Sequence, residues 1–182
     1  MLSMSFYEID RTSGLSRVDQ LLEKDPDGAM QSERVSEFAP GAVDDGEVLA
    51  RSLEYPSKFD PSGGLNDSFF EDAFKHGASA QRLLGGWDLN ASQVHNRFEA
   101  RAELKRKGDA NRKPSPDNLY IGAFHMTAGD LRAFRLDGEM RQRIRVYDAG
   151  QSSEDKLHAE IIADARHLER RLKHELRVRL MA

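Results

Sequence analysis

Apolar positions recur along this chain at two periods, and the changes of period predict its elements. Leu15, Val18, Leu21 and Leu22 fall at helical spacing and predict a short helix over 15–24. Asp25-Pro26-Asp27-Gly28 stops it with turn chemistry. Residues 26–46 are polar and acidic, with Pro40-Gly41 and Asp44-Asp45-Gly46. Such a stretch is expected to be mobile alone or to order against a partner. Residues 47–55 (EVLARSLEY) read as a strand, with Leu49, Leu53 and Tyr55 on one side of an alternation broken only by Arg51. Pro56 ends it, and 58–64 is a loop. Asn66 or Asp67 caps a short helix carrying Phe69, Phe70, Ala73 and Phe74, whose rings belong in a core. Gly85-Gly86-Trp87 reads as a turn.

A second helix is predicted over 91–107. It has a thin apolar stripe (Val94, Phe98, Ala102) and a basic far end (Arg101, Lys105, Arg106, Lys107). Residues 108–118 read as a loop open to contact, with Arg112 and Lys113 as its basic residues. Residues 119–126 (LYIGAFHM) are apolar on both faces, which predicts a buried central strand. Thr127 with Asp130 has the form of a capping box, opening a helical turn over 131–134. Asp137-Gly138 is a hairpin-turn signal. Residues 141–148 (RQRIRVYD) then alternate, with Arg141, Arg143, Arg145 and Tyr147 on one face and Ile144 and Val146 on the other.

After Ser152, which with Asp155 resembles another cap, Leu157, Ile161, Ala165, Leu168, Leu172, Leu176 and Leu180 step by three or four. A continuous helix of that kind would reach ~40 Å. The competing reading makes 158–163 a strand and starts the helix near Asp164. Together these elements predict an α+β fold: a small mixed or antiparallel sheet, three or more helices and a long C-terminal helix. Residues 1–46 read as an acidic, loosely ordered segment, and 47–182 as a single domain ending in a basic helix.

Composition narrows the classes. The chain has 182 residues, 38% hydrophobic and 32% charged, which suits one domain of ordinary size. It has no cysteine, so disulfides, thiolate metal sites and cysteine nucleophiles are excluded. No apolar run approaches the ~20 residues of a membrane-spanning helix. The start, MLSMSFYEID, carries no leader pattern or lipidation motif, so a cytoplasmic location is expected. The net charge of −4 hides an asymmetry. Residues 1–75 hold 16 acidic and 7 basic side chains, and 76–182 hold 15 and 20. Such polarity lets the halves pair with each other or offers a basic surface to an acidic or phosphate-bearing partner.

The most specific chemical signal is the arginine strand. Arg141, Arg143 and Arg145 would project roughly 7 Å apart, too costly to bury unpaired. They therefore face water, an acidic part of the chain itself, or phosphates, which guanidinium forks hold by paired hydrogen bonds. With Tyr147 they form a candidate partner-binding set. The C-terminal basic series Arg166, Arg170, Arg171, Lys173, Arg177 and Arg179, against Glu169 and Glu175, extends it.

His158 and Glu160 share a face if 158–163 is a strand and could then move protons. As a helix they point about 200° apart. His125, expected on the buried strand, completes the catalytic candidates. No spacing of the histidines points to a metal, and no motif to a cofactor.

Three functions follow. The favoured one is a binding or accessory protein meeting a protein or nucleic-acid partner, or a second copy, through the arginine strand and C-terminal helix. The second is a small enzyme acting on a phosphate-containing nucleotide or nucleic acid. The third is an assembly subunit, whose acidic N-terminal part docks on the basic half of the next copy.

Overall fold

The computed structural model describes residues 6–10, 12–59, 64–84, 91–110, 113–150, 155–165 and 169–181. The predicted turn at Gly85-Gly86-Trp87, the Ser152 cap and residues Arg166, His167 and Leu168 lie outside these. The fold is α+β. Helices α1 (Arg17–Lys24), α2 (Glu71–Lys75), α3 (Ala91–Lys107), α4 (Ala128–Ala133) and α5 (Glu169–Met181) accompany strands β1 (Val48–Tyr55), β2 (Ala78–Leu83), β3 (Leu119–Thr127), β4 (Ile144–Asp148) and β5 (His158–Ala163). The strands form one sheet in the order β3-β1-β2-β5-β4, with every neighbouring pair antiparallel.

The alternation of each strand assigns its two faces. Leu49, Ala78, Ala80, Met126, Ile144, Val146, Ala159, Ile161 and Ala163 point to the face that carries the main core. There α2 brings Phe74, α4 brings Leu131, and α5 brings Leu172 and Leu176. Fully burying one such leucine stabilises the fold by ~1.5–3 kcal/mol.

The other face has two separate covers. Phe6 with Val18, Leu21 and Leu22 of α1 packs on Tyr147 and Ile162. Val94 and Phe98 of α3 pack on Ala50. Between the covers the central strands present a polar series: Ser79 and Gln81 on β2, paired in register with Glu160 and His158 on β5.

Three expectations are corrected. The long C-terminal helix does not form. Residues 158–163 are β5, buried at every position, and the helix that follows has 13 residues. An apolar step of three or four also fits a strand buried on both faces, and pairing with both β2 and β4 selects the strand. Second, β3 is an edge strand rather than a central one. Leu119 and Ile121 are exposed, and a bulge opposite Leu53/Glu54 shifts its register. Third, Asp137-Gly138, with Gly138 at φ 82°, leads from α4 to β4, whereas β3 and β4 lie at opposite edges of the sheet.

Strand β2 (ASAQRL) had no counterpart among the predicted elements. Its small and polar residues carry little alternation, yet it is the middle strand.

The described part of residues 1–46 lies along the sheet, where composition alone suggested loose organisation. Ser16 caps α1 by accepting from the Asp19 N–H. Arg82, 2% exposed, donates to both carboxylate oxygens of Glu47 at 2.6 and 2.7 Å and to the carbonyls of Gly41 and Ala42. A buried guanidinium satisfied on every side ties this segment to β2.

Candidate anion-binding site

The pairing of β1 with β2 stops at Ala50 and Gln81. Beyond it β1 continues with β3 to Tyr55, while β2 continues with β5 to Ala78. The strands diverge, and Arg51 enters the opening. Its Nη1 donates to the Ser79 carbonyl at 2.7 Å, its Nε and Nη2 donate to the Phe69 carbonyl at 3.0 and 2.8 Å, and Nη2 reaches Asp72 at 3.3 Å. The guanidinium also lies 5.2 Å from the centre of the Phe69 ring. Arg51 is the residue that breaks the alternation of β1, and that misfit is the sequence signal that marks the site.

A cavity of about 70 Å³ lies over this opening, under the flank of α3. One water needs ~10–15 Å³, so the space matches a single oxyanion rather than a nucleic-acid strand. Phe98, Arg101 and Lys105 reach it from one side of α3. Glu54, Lys58 and Asp72 line it together with Arg51, Gln81 and His158. Four cations thus face two carboxylates, an excess of two positive charges.

The pairings are unequal. Lys105 Nζ sits 2.7 Å from both oxygens of Glu54, which also accepts from Asn118. Burial pushes the Glu54 carboxyl up, but those donors outweigh it and hold it below the usual carboxylate range. Lys58 and Arg51 share Asp72 and lower its pKa against the opposing effect of burial. Burial, helped by the Arg51 charge, lowers Lys58 itself. Arg101 is exposed and has no ion pair or hydrogen bond among the described residues.

His158 is 5% exposed, and burial pulls it down to about 4. Asp155, 3.8 Å away, opposes this, and the charges of Arg101, Arg17 and Arg51 reinforce it. Its imidazole is therefore neutral near pH 7.

The residues expected from sequence lie elsewhere, with His158 the exception. Arg141 pairs with Asp164. Arg143 donates to Glu139 at 2.7 Å and to the Asp164 carbonyl. Arg145, 3% exposed, donates to the carbonyls of Asp25 and Pro26. Tyr147 donates to Asp25 at 2.8 Å and packs on Phe6. Arg141 and Arg143 precede β4 rather than lying on it, so the predicted alternation holds only from Ile144; their charges meet Asp164 and Glu139, and Arg145 meets carbonyls of the N-terminal segment.

On α5, Arg171 pairs with Glu175, Arg177 with Asp67, and Lys173 lies over Phe74, while Arg170 is exposed. Leu172 and Leu176 are at most 1% exposed, so these two seam leucines are covered by the chain itself.

His158 and Glu160 do share a strand face, but Arg17 grips both oxygens of Glu160. Burial raises the Glu160 pKa against that pairing. His125 is exposed on β3, and the register row His125–Ala50–Gln81–His158 puts it three strands, roughly 14 Å, from His158.

Among the described residues no group of His, Asp and Glu is arranged to hold a metal ion, and no helix is long and apolar enough to cross a membrane. No protein-family model matches the chain, and neither a curated protein nor a solved structure does.

Proposed function

We propose that this is a binding protein for a small phosphate-bearing ligand, received in the cleft where β1 and β2 part. The observation that carries this reading is the unbalanced charge of the cleft, with Arg101 as the cation without a counter-ion among the described residues. A guanidinium beside a second cation in a half-enclosed space favours a doubly charged oxyanion. The reading keeps the binding class suggested by the charge layout. It moves the receiving group from the arginine strand and C-terminal helix, whose charges are largely met within the chain, to α3 and β1. A catalytic version gives His158, in the cleft wall, the task of moving a proton on a phosphoester, and it requires turnover as well as binding.

Thermal unfolding of the full chain in sodium phosphate, against sodium chloride of equal ionic strength, tests the proposal. Phosphate at about 100 times its dissociation constant should add ~2.7 kcal/mol, a rise in Tm of roughly 5–10 °C. The Arg101→Gln variant should fold normally and lose most of that rise. Equal Tm in the two salts, or an undiminished rise in the variant, refutes it. Binding to duplex DNA that falls steeply with salt would point instead to many phosphate contacts and a surface site.

A further inference from the structure

The wall of the cleft contains an acceptor with no donor. Gln81 is 7% exposed, and its Nε2 donates to Asp155 Oδ1 at 3.0 Å. Its Oε1 is buried and has no hydrogen-bond partner. The bond to Asp155 settles which end of the amide is which, because turning it over would set two acceptors against each other. Gln81 lines the same cavity as the four cations, so the wall of the cleft holds a buried carbonyl-type oxygen that lacks a donor. Cations attract any oxyanion, whereas a lone acceptor is satisfied only by an oxyanion that still carries a proton.

Resting on the cleft reading above, we propose that the site selects protonated oxyanions, inorganic phosphate over sulfate, with Gln81 Oε1 accepting the phosphate hydroxyl. Near neutral pH hydrogenphosphate retains a P–OH and sulfate has none. The two are otherwise alike in shape and charge, so Arg101, Arg51 and Lys105 serve both and Gln81 separates them. A sulfate in the same position would press a lone pair toward the Gln81 oxygen. One hydrogen bond to a charged group corresponds to a preference of about tenfold or more.

The test is titration calorimetry of the full chain with phosphate and with sulfate at matched ionic strength near pH 7. Phosphate should bind at least about tenfold tighter. Arsenate, which is protonated, should follow phosphate, and selenate should follow sulfate; this arm needs no variant. In Gln81→Met the two affinities should converge, mainly because phosphate weakens.

Methyl phosphate separates a free ion from an ester. Its second ionisation lies at about pH 6, so it should weaken relative to inorganic phosphate as the pH is raised past that point. Equal binding of phosphate and sulfate overturns the selectivity and leaves the cleft intact as an anion site. Binding of neither overturns both, and unchanged selectivity in Gln81→Met removes Gln81 from the role.

Discussion

Lowering the pH tests the burial of His158. The folded chain holds this imidazole at about 4 instead of 6.5, with burial as the leading cause. In the unfolded chain it takes a proton as the pH falls through the ordinary value, while the folded chain refuses it until the lower one. The sign follows. Above about pH 7 the group is neutral in both states and contributes no pH dependence. Below 6.5 the unfolded state binds more protons, and stability falls by up to ~1.4 kcal/mol per pH unit, levelling off below the folded value. At about pH 5 the loss is ~2 kcal/mol.

Glu54 and Asp72, both held low, also lose stability in acid, and Glu160, held high, acts in the opposite sense. The charged groups that bear on the ring, Asp155, Arg101, Arg17 and Arg51, are left in place by His158→Gln. The assay is urea unfolding of the wild-type chain and His158→Gln at about pH 7.5 and pH 5. The wild-type chain should lose ~2 kcal/mol more than the variant between the two conditions. Equal losses would mean that the ring is solvated or keeps its proton, and the account of the cleft wall would fail with it.

Two further outcomes follow from the packing. Arg51→Met strips the buried carbonyl of Phe69 and the half-buried carbonyl of Ser79 of a charged donor and should cost ~3–5 kcal/mol, a fall in Tm of about 10 °C, with Arg51→Lys in between. A loss below ~1 kcal/mol by urea unfolding would show that Arg51 does not close the strand opening. Leu172→Ala should cost ~2–5 kcal/mol without changing the sedimentation coefficient, because that side chain is covered by its own sheet. A shift in oligomeric state at unchanged stability would return α5 to the role of an interface.

Local pattern was enough to place α1, β1, α3, the second half of the strand expected over 141–148 and the capped start of α4, because each has a clear apolar period or a capping signal within a few residues. Thr127 accepts from the Asp130 N–H, as the capping form requires. Where the period was ambiguous, the chain alone left the choice open. His158–Ala163 fits a helix by its steps and a strand by its composition, and only the ladders with β2 and β4 decide it. Strand order is likewise absent from local pattern: LYIGAFHM reads as central and lies at an edge, whereas ASAQRL reads as nothing and lies in the middle.

The same division holds for the chemistry. Residue type and spacing established that residues 76–182 carry an excess of basic groups, that 141–148 sets three guanidinium groups along one segment, and that Arg51 interrupts an apolar face. Apart from neighbours such as Arg143 with Glu139, which of those charges are met inside and which are open is a property of distant pairs. Arg145 meets the carbonyls of Asp25 and Pro26, Arg82 meets Glu47, and Arg101 meets no charge among the described residues. Sequence can count charges and space them along an element. Their neutralisation depends on loops brought together across the sheet, and so on the fold alone.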